Sequence, residues 1–112
     1  MEAGDVIRWA FVQADGRIKL RPAVLVKSVP PFNDWVICAV SSQLQRYQVQ
    51  LDVLLDASHP DFRRSGLSFP SVVRCAQLAT IPAQQIEGRI GRLSEATITS
   101  IQQQLGQWLS MK

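Results

Sequence analysis

The chain is poor in the residues that most often carry catalysis and metal binding, with one histidine and two cysteines in 112 residues. One histidine and scattered carboxylates offer no metal-ligand cluster, so no metal or other cofactor is expected. A serine-hydrolase triad would have to use His59, and no serine stands in a nucleophile elbow. Cys38 and Cys75 have neither metal-ligand spacing nor the density of a disulfide scaffold. They read as small buried thiols of a reducing cytoplasm. No apolar run approaches the roughly 18 residues that a membrane helix requires. The opening "MEAGDVIRWA" lacks an apolar signal core, which argues for a cytoplasmic protein. A phosphate-binding loop is missing too, because Gly88 and Gly91 in "EGRIGRLS" follow no strand and precede no P-loop lysine.

What is present is a globular composition with an arginine bias. Hydrophobic residues make up 46% and charged residues 19%, as expected for one folded domain over residues 1–112. The net charge is +3, and nine of the twelve basic residues are arginines. A planar guanidinium matches phosphate and carboxylate in a fork geometry, so the bias is compatible with a phosphate-containing partner without establishing one.

Alternation marks the strands. In residues 5–12, "DVIRWAFV", Asp5, Ile7, Trp9 and Phe11 alternate with Val6, Arg8, Ala10 and Val12. A turn around Asp15-Gly16 leads to a second strand, "RPAVLVKS", with Pro22 placed near its start or on an edge. "WVICAVSSQ" (35–43) is a third strand, and its unbroken apolar run predicts burial on both faces. "YQVQLDVLL" (47–55) alternates as a fourth, and a long loop (56–69) precedes the fifth, 71–78. A helix is predicted over 95–110, with Ser94 as N-cap and Ile98, Ile101, Leu105, Trp108 and Leu109 as its docking stripe. Five short strands and a closing helix predict a mainly β fold, a small, strongly curved sheet or barrel.

The fifth strand poses a problem. In "SVVRCAQLATI" a permanent cation, Arg74, interrupts residues that favour burial. Either a partner inside the protein satisfies it, or the strand delivers it to an anion. Arg21 opens the second strand, and Ser41 and Ser42 close the third. Such a set suits anion binding and phosphoryl chemistry, and equally suits surface salt bridges and capping hydroxyls.

Taken in order, "GDVIRWAFV", "LRPAVLV", "VICAVSSQ", "SVVRCAQLATI" and "EGRIGRLSEATI" resemble the MazF/PemK family of toxins from type II toxin–antitoxin systems. Only residues 44–66 lack a clear counterpart. The resemblance implies an SH3-like small barrel with a C-terminal helix, assembled as a homodimer. It implies a metal-independent endoribonuclease for single-stranded RNA, often mRNA, leaving a 2′,3′-cyclic phosphate. A cognate antitoxin protein would block the groove, and operator DNA would be bound only through the antitoxin complex.

By motif position the resemblance assigns catalysis to Arg21, Ser41 and Arg74. It places Asp5, Arg17, Ser42 and Gln77 among the substrate-binding groups, with Asp5 the candidate general base. Three departures stand out, the mildest being Ser41 in place of the usual threonine, which keeps the hydroxyl. Ala76 in "RCAQ" replaces the aspartate of members with "RCDQ", which period-two alternation would set beside Arg74. "GRIKL" replaces the usual "G-x-E-Q" stretch before Arg21. The alternative implied by these departures is a catalytically weak or inactive SH3-like module that binds RNA or a partner protein.

Overall fold

The computed structural model describes all 112 residues. Its strands are β1 (Asp5–Val12), β2 (Ile18–Val29), β3 (Asp34–Ser41), β4 (Val53–Leu55), β5 (Ser71–Ile81) and β6 (Gly91–Arg92), followed by the helix α1 (Glu95–Ser110). They form one antiparallel sheet in the order β4-β5-β3-β2-β1-β6. The edge strands β4 and β6 do not pair, so the fold is a curled half-barrel, mainly β, with one C-terminal helix. No helix is long and apolar enough to cross a membrane.

Period two sorts the side chains into two cores. Toward the helix, Val6, Val24, Cys38, Val40 and Val73 meet Ile98, Ile101 and Leu105. On the opposite face Ile7, Ala23, Leu25, Trp35, Ile37 and Ile81 form the second cluster. β3 lies mid-sheet and feeds both, which accounts for its unbroken apolar run. Burying each large aliphatic side chain contributes about 1.5–3 kcal/mol.

The helix begins where the N-cap signal placed it, Ser94 Oγ accepting from Thr97 N at 3.3 Å. Its apolar stripe is shorter than the sequence implied. The core under the helix ends at Leu105, and Trp108 and Leu109 in the last turns are 45% and 61% exposed. Residues 47–55 also depart from expectation, since only Val53–Leu55 is strand. A 3-10 turn (Leu44–Arg46) comes first, Gln50 takes a positive φ of 68°, and the Asp52 carboxylate accepts from Gln48 N at 3.0 Å. These local bonds turn the chain instead of extending it.

The long loop is fastened, not loose. Arg92 N donates to Arg64 O at 2.9 Å, and the Asp61 carboxylate accepts from Ser94 N at 2.7 Å. Gly66 and Gly91 allow the two segments to touch: a Cβ on Gly66 would strike the Ile90 carbonyl, and one on Gly91 the Ser65 backbone.

β5 carries the largest irregularity. Cys38 opposes Leu78, yet the next residue, Ala39, opposes Arg74. Residues 75–77 are therefore extra on β5, a three-residue bulge beside Arg74.

Candidate active site

β2 pairs with β1 from Ile18 but with β3 only from Ala23. Residues 18–22 thus overhang the sheet with a free edge, and Pro22 sits there, where its missing N–H deprives no ladder. Between this overhanging hairpin and the adjoining ends of β3 and β5 lies a cleft of about 490 Å³, lined by Gln13, Arg21, Ser41, Arg46, Arg74 and Gln77 among others.

Register explains why these groups converge. Ala23 opposes Ala39, and Ala39 opposes Arg74. Arg21 lies two residues before Ala23 and so shares its face. Two alanines therefore keep the floor low between two arginines. Arg21 Nη2 donates to Gln13 Oε1 at 3.4 Å. Ser41 Oγ accepts from Gln43 N at 3.1 Å, which leaves its O–H free to donate. Arg46, from the 3-10 turn, adds a third guanidinium, and its Nε donates to Gln43 Oε1. No carboxylate lines the cleft, although one of its three guanidiniums, Arg74, has an acidic neighbour outside it. A positive surface of this kind attracts anions.

The Arg74 side chain has an internal partner and also reaches the cleft. Its Nε lies 3.9 Å from Asp52 Oδ2, behind the strand. The bulge also corrects an expectation. Alternation would set residue 76 beside Arg74, but the extra residues break the phase. Arg74 and Gln77 line the cleft, whereas half-buried Ala76 does not.

Other expected residues fall elsewhere. Asp5 is fully buried near β6, where its Oδ1 accepts from Arg92 Nε at 2.8 Å and Arg89 Nη1 at 3.4 Å. Its Oδ2 accepts from Glu2 N at 2.8 Å. A carboxylate so enclosed has no path to a substrate in the cleft, and the reason is the β1–β6 pairing that sets Asp5 opposite Arg92. Arg17 is exposed on the hairpin turn, 3.7 Å from Asp15, outside the cleft. Ser42 points the other way from Ser41 and lines a neighbouring depression of about 310 Å³ with Arg8, Lys19 and Arg21. His59 Nδ1 accepts from Asp61 N at 3.0 Å within the loop.

Gln13, Gln43, Arg46 and Asp52 were not anticipated. Arg46 follows the two serines closely in "SSQLQR", which was the available clue; Asp52 had none, because it passed for an outward residue of an alternating strand. Burial, with the Asp52 carboxylate nearby, pushes the Cys75 thiol up to about 12, and burial raises Cys38 as well. Both thiols are free and inert at neutral pH. Nowhere do three or more His, Cys, Asp or Glu side chains converge to hold a metal ion.

Comparison with known proteins agrees with this architecture. An endoribonuclease in complex with its cognate antitoxin, from a mycobacterial species, superimposes with a TM-score of 0.70 at 16% identity, over 100% of this chain and 97% of that one. The Mycobacterium tuberculosis toxin MazF-mt6 gives 0.65 at 21% identity, covering 96% and 98%. A MazE-MazF structure from Deinococcus radiodurans gives 0.68 at 20%, covering 100% and 97%. At these identities the likeness establishes the fold. No curated protein matches the sequence. The family of PemK-like, MazF-like toxins of type II toxin-antitoxin systems matches residues 2–109, nearly the whole chain. With the half-barrel, the overhanging hairpin and the motifs in order, the chain belongs to the PemK-like, MazF-like toxin family.

Proposed function

We propose that the protein is an endoribonuclease toxin that cleaves single-stranded RNA, mRNA included, in the arginine-lined cleft. The observation that carries this reading is the convergence of Arg21, Ser41 and Arg74 on one cavity free of carboxylates. Arg21 holds the scissile phosphate, Ser41 donates to a non-bridging oxygen, and Arg74 faces the charge that develops on the phosphorane. The ribose 2′-oxygen forms a bond to phosphorus while the bond to the 5′-oxygen breaks. The products are a 2′,3′-cyclic phosphate and a 5′-hydroxyl. The 2′ proton passes to water or hydroxide, since the lining side chains include no carboxylate or histidine, and the leaving 5′-oxygen takes a proton from solvent or Arg74.

The same reading gives the chain a cognate antitoxin that covers the cleft; one structural neighbour is an endoribonuclease in complex with its cognate antitoxin. It includes homodimerisation, for which exposed Trp108, Leu109 and Met111 supply apolar surface, and operator DNA contact only through the antitoxin. The test is incubation with mixed-sequence single-stranded RNA in EDTA, scoring cyclic phosphate ends. Cleavage, together with growth arrest on expression without the antitoxin, is expected. An intact RNA pool and unimpaired growth overturn the reading. RNA retention without cleavage would favour a binding module.

A further inference from the structure

We propose that Asp52 is the positioning residue for Arg74, with one buried carboxylate setting both the backbone bulge beneath the arginine and the direction of its guanidinium. The proposal rests on the cleft being an RNA-cleaving site.

Cys75, the first residue of the bulge, has no partner in β3 or β4, and a buried N–H without an acceptor is costly. Asp52 Oδ1 accepts it at 3.1 Å. The other oxygen, Oδ2, accepts from Gln48 N at 3.0 Å and stands 3.9 Å from Arg74 Nε. Asp52 is only 4% exposed, so these attractions act with little screening. Its own backbone is held from the helix, where Gln104 Nε2 donates to Leu51 O at 2.9 Å and Asp52 O at 3.2 Å. A chain of contacts thus runs from α1 through Asp52 to Arg74.

The Asp52 carboxylate lies nearest the Nε of a guanidinium whose side chain lines the cleft. Arg21 and Arg46 have only glutamine oxygens as side-chain partners, at Gln13 and Gln43, so Arg74 alone among the three is held by a carboxylate. A cation with a fixed direction serves a transition state better than a freely rotating one, because its reorganisation is already complete. The carboxylate also explains how an apolar strand tolerates the charge.

The experiment is a double-mutant cycle with Asp52→Asn, its fold checked by the backbone amide spectrum. In the wild type, Asp52→Asn should lower kcat by roughly ten- to a hundredfold, the range that small misplacement of a catalytic group produces. KM should stay within about threefold, because the charge of Arg74 remains. The same substitution should cost as much in an Arg21→Ala background and less than about twofold in an Arg74→Ala background. Equal losses in both backgrounds overturn the proposal. A second measurement needs neither variant nor activity. In the wild-type 15N spectrum the Arg74 Nε–H should exchange with solvent at least about tenfold more slowly than that of Arg21, as expected of a partly buried proton beside a carboxylate. Comparable exchange overturns the proposal. Slow exchange in a protein that cleaves no RNA upholds the clamp and overturns the ribonuclease reading instead.

Discussion

Asp5 and Arg92 face each other across the β1–β6 pair, with Asp5 Oδ1 2.8 Å from Arg92 Nε. The acid at the start of β1 and the arginine after Gly91 thereby tie the two ends of the chain's fold together. The contact also raises the Arg92 guanidinium above its ordinary value, through the hydrogen bond to Asp5. Asp5→Asn should therefore lower stability, by about 1–3 kcal/mol, as expected when hydrogen bonds to a charged group are weakened. The cleavage rate per folded molecule should stay within about threefold, the small change expected of a group outside the transition state. Denaturant melts and single-turnover cleavage measure the two separately. A rate loss of a hundredfold with unchanged stability would restore Asp5 as a base.

Arg21→Ala and Arg74→Ala should each slow cleavage by about a hundredfold or more, the usual result of removing one oriented donor to developing charge. Arg63→Ala, exposed on the fastened loop, should alter only a salt-sensitive binding contribution. Rates at saturating RNA and two salt concentrations separate these effects. Equal rates for all three variants would leave the enzyme standing and move its site.

With no carboxylate or histidine lining the cleft, the cleavage rate should climb with pH across about pH 5–8.5 and show no bell. Ala76→Asp adds a carboxyl group at the mouth of the bulge. If the new group reaches the 2′-hydroxyl, the profile should flatten above its pKa and the rate near neutrality should rise. A bell-shaped wild-type profile would show that a titrating group has been overlooked.

Asp61 ties the loop to the helix, accepting from Ser94 N at 2.7 Å and Ser94 Oγ at 2.8 Å. Burial pushes its carboxyl up, but hydrogen bonds from Thr97 and Ser94 outweigh burial and hold it below the ordinary value. A folded-state value below the unfolded one stabilises the protein at pH above about 4, and that contribution is lost as pH falls through the lower, folded value. Asp61→Asn should thus cost about 1–3 kcal/mol at pH 7 and less near pH 3. Urea titrations at both pH values check this. An unchanged gap at low pH would mean that the anchor does not depend on charge.

Four of the six strands and the helix were legible: alternation marked 5–12, runs of strand-forming apolar residues marked 21–28, 35–43 and 71–78, and helical spacing marked 95–110. The third strand's double burial followed from its composition alone. The fourth strand is shorter than 47–55, only Val53–Leu55, because Tyr47, Val49 and Leu51 alternate by coincidence, and no rule of spacing reveals that Gln50 takes a positive φ. Arg21, Ser41, Arg74 and Gln77 were found through motif resemblance, but their convergence depends on register, which a sequence does not display. Asp52 was hidden for the same reason, its partners Arg74 and Cys75 lying more than twenty positions away.

The three extra residues of β5 have an effect beyond the cleft. Before them Val73 points toward the helix; after them Ile81, also odd-numbered, points to the opposite core. An odd insertion reverses the parity of a strand, so a single segment serves two hydrophobic interiors in succession. Pairing with β3 resumes at Leu78, so the arginine before the bulge and the apolar residues after it are set on their faces independently of one another.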